Sequence, residues 1–134
     1  MEMTEAKLVI FQDAGRPVEV RLDAAHDTVW LTQRQMAEIF ETSADNVSLH
    51  LKNIYETGEL GEGATTEESS VVRREGNRNV TRTVRHYNLD AIISVGYRVS
   101  SKRAVLFRQW ATRVLREHLT PGSAGRVLFF AIHL

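Results

Sequence analysis

Two helix starts with a single short turn between them, both inside the stretch Trp30 to Gly58, restrict this chain more than any other feature. Thr32 followed three positions later by Gln35 is a capping-box signature, in which each side chain satisfies a free backbone N–H at the helix start. A helix is therefore expected from Gln33, with Met36, Ala37 and Phe40 on one face. Glu41-Thr42-Ser43 then offers a turn and a fresh cap, with Ser43 preferred over Thr42. Val47, Leu51 and Ile54 recur at i, i+4 and i+7, so one stripe of the second helix faces a core, and Gly58 stops it. With small Ala37 where the helices would cross, the pair is a helix-turn-helix candidate.

The flanking segments read as strands, then helices. Leu8–Phe11 and Val18–Leu22 enclose turn formers and predict an N-terminal β-hairpin, to which Thr28–Leu31 can add a short third strand. Residues 58–70 (GELGEGATTEESS) are polar and glycine-rich and read as a surface loop. Val71–Glu75 and Arg78–Tyr87, joined by Gly76-Asn77, predict a second hairpin with a two-residue turn. Asn88 caps a third helix with Leu89, Ile92, Ile93, Gly96 and Tyr97 on one face. Ser100 or Ser101 breaks it and caps a fourth, striped with Phe107, Trp110, Ala111, Val114, Leu115 and His118 and ended by Pro121-Gly122. That stripe is core or a dimer seam, and its large aromatic payload favours core. The expected fold is α+β: a winged helix-turn-helix-like domain with an N-terminal β-hairpin and two C-terminal helices. The expected divisions are a hairpin region over 1–31, the helix pair, basic hairpin and third helix over 32–99, the amphipathic helix over 100–120 and a tail over 121–134.

Charge is distributed unevenly. The 17 basic and 17 acidic side chains cancel, yet residues 1–68 carry 5 and 14 while residues 69–134 carry 12 and 3. A basic half of this kind marks either a polyanion-binding surface or two halves that neutralise each other. Arg73, Arg74, Arg78, Arg82 and Arg85 lie on the second hairpin against Glu75 alone, so each is a candidate phosphate contact. On the second helix, Asn46, Ser48, Leu49 and Asn53 are candidates for base contacts, while Thr42, Ser43 and Lys52 suit phosphates. Asp45 hinders such contacts, and Glu41 sits where many such motifs have glycine. The plainer readings are an ordinary helical hairpin and an edge hairpin kept soluble by charge.

Several chemistries lack their residues. Without cysteine there is no disulfide, thiolate metal site or cysteine nucleophile. His26, His50, His86, His118 and His133 lack metal-ligand spacing, so no metal and no cofactor are expected. The clustered glycines, Gly58, Gly61 and Gly63, lie among glutamates that repel a pyrophosphate. Tyr87 and Tyr97 lie near Arg85, His86 and Arg98, but a strand-cleaving nucleophile needs a base and a phosphate clamp in contact, and Tyr97 is expected on the buried face of its helix. No enzyme activity is expected. No apolar run reaches membrane-spanning length, and the N-terminal residues lack a signal-peptide layout, so a cytoplasmic protein without membrane contact is expected.

The segments WLTQRQMAEIFETSADNVSLHLKNIYETGEL, HYNLDAIISVGYRV and SKRAVLFRQWATRVLREHL together resemble the bacterial RhuM family, labelled virulence-associated, in order and spacing from Leu8 to Leu119. The resemblance implies a DNA-binding N-terminal region, stand-alone or beside Fic-type domains. Some members carry a hydroxyacid dehydrogenase label, which the glycine pattern here does not support, and the histidine-centred loop of Fic-type transfer is absent. Members usually continue beyond the Trp110 helix, whereas TPGSAGRVLFFAIHL follows here, so this tail is expected to be truncated or non-native. The expected function is a DNA-binding transcriptional regulator, with double-stranded DNA and a second copy as partners and no small-molecule substrate. The alternative is an adaptor module whose basic half engages a toxin-like or Fic-type protein.

Overall fold

The capping box forms as its spacing requires. In a computed structural model describing residues 7–12 and 16–119, Thr32 Oγ1 accepts from the Gln35 N–H at 3.1 Å and Gln35 Oε1 accepts from the Thr32 N–H at 2.8 Å. These bonds start α1 (Gln33–Phe40) directly from strand β3 (Thr28–Thr32). The Gln35 amide also donates to the Glu19 carbonyl at 2.9 Å, which ties the helix start to the preceding strand.

Along the chain, β1 (Lys7–Phe11), β2 (Val18–Asp23), a 3-10 turn (Ala24–His26) and β3 precede α1 and α2 (Ala44–Glu56). A short α3 (Glu62–Thr65) leads into β4 (Thr66–Glu75) and β5 (Arg78–Tyr87), followed by α4 (Leu89–Arg98) and α5 (Lys102–Leu119). The fold is mixed α+β, with one antiparallel sheet in the order β1-β2-β3-β5-β4. The optional third strand thus joins the two hairpins, through the pairs Leu31–Tyr87 and Thr32–His86. The apolar tail residues Val127–Leu134, with the rest of 121–134, lie outside the described residues.

Alternation fixes which face of the sheet is covered. Val18, Val20 and Leu22 on β2, Val29 and Leu31 on β3 and Tyr87 on β5 are buried beneath the helices. Met36, Ile39 and Phe40, then Val47, Leu51 and Ile54, close the core from α1 and α2. The α5 stripe resolves as core: the Phe11 ring stands edge-on to Phe107, 5.2 Å between centroids, and to Trp110 at the same separation.

Two sequence expectations need correction. Residues 62–70, part of the 58–70 stretch read as loop, form α3 and the first half of β4, the latter because Thr66 to Ser70 each pair with β5, from Thr66–Tyr87 to Ser70–Thr83. A polar TEESS segment takes strand form once a neighbouring ladder supplies its hydrogen bonds and cross-strand partners. Tyr97, expected inward, is 62% exposed. The buried face of α4 is rotated toward Ala91, Ile92, Val95 and Gly96, and Ser94 enters it because its hydroxyl is satisfied by Glu59.

Candidate nucleic-acid interface

The turn between α1 and α2 is built from side-chain caps. Ser43 Oγ accepts from the Asn46 N–H at 3.0 Å and starts α2, as its position predicts. Thr42 Oγ1 accepts from Asn46 Nδ2 at 2.9 Å. Glu41 closes α1 in the left-handed conformation, φ 57° and ψ 48°, where glycine carries no steric penalty.

With Val47, Leu51 and Ile54 turned inward, the opposite side of α2 is open. Ser48, Leu49 and Lys52 are exposed, Asn53 is half-buried, and no element among the described residues covers this face. Asn46 is half-buried and gives one of its two amide N–H groups to Thr42, which orients the amide and leaves its second N–H and Oδ1.

The hairpin β4–β5 is long. Only its base pairs with β3, so the ladder from Glu68–Arg85 to Glu75–Arg78 extends beyond that pairing, with Ser69–Val72 lining a pocket shared with Leu8, Glu19, Arg21 and Trp30. Those eight pairs extend roughly 26 Å at the usual rise per residue. Gly76, with φ 64°, holds the first position of the two-residue turn, as a type II′ hairpin requires.

The five arginines divide into two groups. Arg82 makes a two-point bond to Glu75, Nη2 to Oε1 at 2.7 Å and Nε to Oε2 at 3.0 Å. Arg85 donates from Nη1 to Glu62 at 2.7 Å and from Nε to Glu68 at 3.0 Å. Hydrogen bonding to the charged forms drives Glu75 below the usual carboxylate range and raises both guanidinium groups. Arg73, Arg74 and Arg78, around the tip, have no carboxylate partner among the described residues. Part of the acidic half of the sequence is thus matched internally to the basic half.

The hairpin base meets α2 through contacts that the sequence did not reveal. Tyr55 of α2 bonds Thr65 at 2.9 Å, and Thr65 donates to the Gly61 carbonyl at 2.8 Å. Glu59 accepts from Ser94 Oγ at 2.5 Å and from Arg98 Nη2 at 2.7 Å, fixing the α2–α3 connection to α4. The glutamates of the 58–70 segment were the available signal, since each has a basic or hydroxyl partner elsewhere in the chain. A groove of about 330 Å3 results, lined by Gln33, Ser48, Lys52 and Glu56 together with Glu62 of α3 and Tyr87 at the end of β5.

Among the described residues no three His, Asp or Glu side chains group as metal ligands. No helix among them is long and apolar enough to cross a membrane. A model of the virulence protein RhuM family matches residues 64–124. Over these residues the chain is similar to that family. The resemblance read over Leu8 to Leu119 is thereby matched from α3 onward: the matched stretch holds the second hairpin, α4 and α5, while the α1–α2 pair precedes it. No curated protein and no solved structure matches the chain.

Proposed function

We propose that this chain binds double-stranded DNA in the cytoplasm as a winged helix-turn-helix regulator, acting by occupancy and without catalysis. The observation that carries the reading is the shared groove, in which the open flank of α2 and the base of the arginine-bearing hairpin lie side by side. Strand β3 runs directly into the helix pair and the β4–β5 hairpin follows it, pairing back onto β3, which supports reading that hairpin as a wing.

In this reading α2 enters the major groove with Ser48, Leu49 and Asn53 toward base edges. Ser43, at the positive end of α2, and Lys52 face the phosphates flanking it. The wing tip, with Arg73, Arg74 and Arg78, supplies sequence-independent attraction, and Arg82 and Arg85 contribute less because carboxylates already neutralise them. Thr42 and Asn46 brace the turn.

The test is fluorescence anisotropy of generic duplexes across a salt series. Each phosphate neutralised contributes about −0.9 to the slope of log K against log salt, so Arg74→Ala with Arg78→Ala should flatten that slope by about 1.8 and weaken all sequences alike. Arg82→Ala should change it by less than half as much per residue. Salt-independent binding, or none, refutes the reading and returns attention to an adaptor with an acidic protein partner.

A further inference from the structure

The outer edge of the second hairpin has its own pattern. Strand β4 pairs with β5 alone and ends the sheet, so its second row of backbone groups faces away from the protein. The two-residue turn makes Glu75–Arg78 a hydrogen-bonded pair, and alternation then turns the backbone groups of Thr66, Glu68, Ser70, Val72 and Arg74 outward. Ser70 and Arg74 are exposed and Val72 is 68% exposed. A ten-residue edge of this kind, without proline, is a template for another strand.

The sequence of the edge, Glu67-Glu68-Ser69-Ser70-Val71-Val72-Arg73-Arg74, is acidic at one end and basic at the other. We propose that β4 pairs antiparallel with β4 of a second copy of this chain, about a two-fold axis at Ser70, so that two five-stranded sheets become one. An axis normal to the sheet keeps the faces of both copies aligned, so only residues of equal parity oppose each other. With Ser70 on the axis, Glu67 of each copy stands directly opposite the partner's Arg73, in the closer, non-hydrogen-bonded type of pair. Glu68 lies diagonal to the partner's Arg74 on the other face.

The charges select this register. Moving it by one step toward the turn opposes Glu68 to the partner's Arg74 but sets Glu67 against the partner's Glu75, and one step the other way leaves Glu67 opposite the partner's Val71 and only diagonal to the partner's Arg73. The groups are available. Among the described residues Glu67 reaches Arg21 and Glu68 reaches Arg85 through Oε2, Arg73 and Arg74 have no carboxylate within ion-pair distance, and Arg74 gives Nε to the Gly76 carbonyl. The pairing uses the β4 edge, leaves α2 and Arg78 open but engages Arg73 and Arg74, for which a duplex would compete, and goes beyond the DNA-binding reading, since it needs no nucleic acid.

Sedimentation equilibrium or light scattering on nuclease-treated full chain tests it. The wild-type chain should show about twice its 15.2 kDa monomer mass. Arg73→Glu should halve the observed mass by setting like charges face to face, and adding Glu67→Arg should restore it, because the exchanged pair is again self-complementary. Val72→Pro removes an outward N–H that β5 does not use, and should give a folded monomer with an unchanged helical signal. A wild-type monomer, a folded double variant that stays monomeric, or a Val72→Pro dimer would each overturn the proposal.

Discussion

Gly96→Ala probes the junction that holds the helix pair to the rest of the chain. Gly96 lies on the buried face of α4, where a Cβ would stand 2.6 Å from the Ala104 Cβ of α5 and 3.1 Å from the Phe40 ring of α1. The Ala104 methyl is carried rigidly by its helix, so α5 must withdraw by roughly 1 Å to restore ordinary contact. Overpacking of this kind costs about 1–3 kcal/mol, offset by about 1 kcal/mol of helix propensity gained on replacing glycine. The net expectation is a loss of about 1 kcal/mol, which lowers Tm by roughly 3–5 °C for a chain of this size. Thermal and urea denaturation followed by circular dichroism measure it, with Ala104→Gly as the partner in a double-mutant cycle. The double variant removes the clash, so the coupling between the sites should be favourable by at least about 1 kcal/mol. A Tm that rises in Gly96→Ala, as propensity alone dictates, would refute the close crossing of α4, α5 and α1.

Three further outcomes follow from the geometry. Glu41→Gly relieves a left-handed conformation that costs an L residue about 1–2 kcal/mol and gives back part of this as unfolded-chain entropy, so urea denaturation should show a gain of about 0.5–1 kcal/mol. Thr32→Ala removes one arm of the capping box and should cost about 1 kcal/mol by the same assay. Burial holds the His86 imidazole below its ordinary 6.5, reinforced by Arg21 and opposed by its bond to the Val84 carbonyl and by Glu67 and Glu68. The unfolded chain therefore protonates there first. Stability is complete above about 6.5 and is lost as the pH falls from that value toward the lower folded one, a slope that His86→Gln should flatten in melts recorded across pH.

The charge asymmetry of the sequence has a structural resolution that bears on function. Arg85 and Arg82 sit among the five arginines that composition alone makes equivalent, yet cross-strand glutamates bind both. Register sets the pairing: Glu68 stands opposite Arg85, and Glu75, opposite Arg78, shares a face with Arg82 four positions along β5, within reach of its long side chain. The tip is left as the concentrated positive charge, on the part of the hairpin farthest from the body.

Local chemistry made much of the architecture readable from the sequence. Thr32 with Gln35, Ser43 and Asn88 each cap the helix that their spacing announces, because a cap is settled within four residues. Gly76-Asn77 likewise marks its turn through a backbone preference that needs no distant partner. What lay beyond local chemistry was decided by contacts distant along the chain. Residues 66–70 became strand because β5 offered a ladder, Tyr97 turned outward because α5 and Glu59 claimed other faces of α4, and β3 joined two hairpins into one sheet. The open face of α2 and its groove with the hairpin base belong to this second group, because the angle between two elements depends on every residue packed between them.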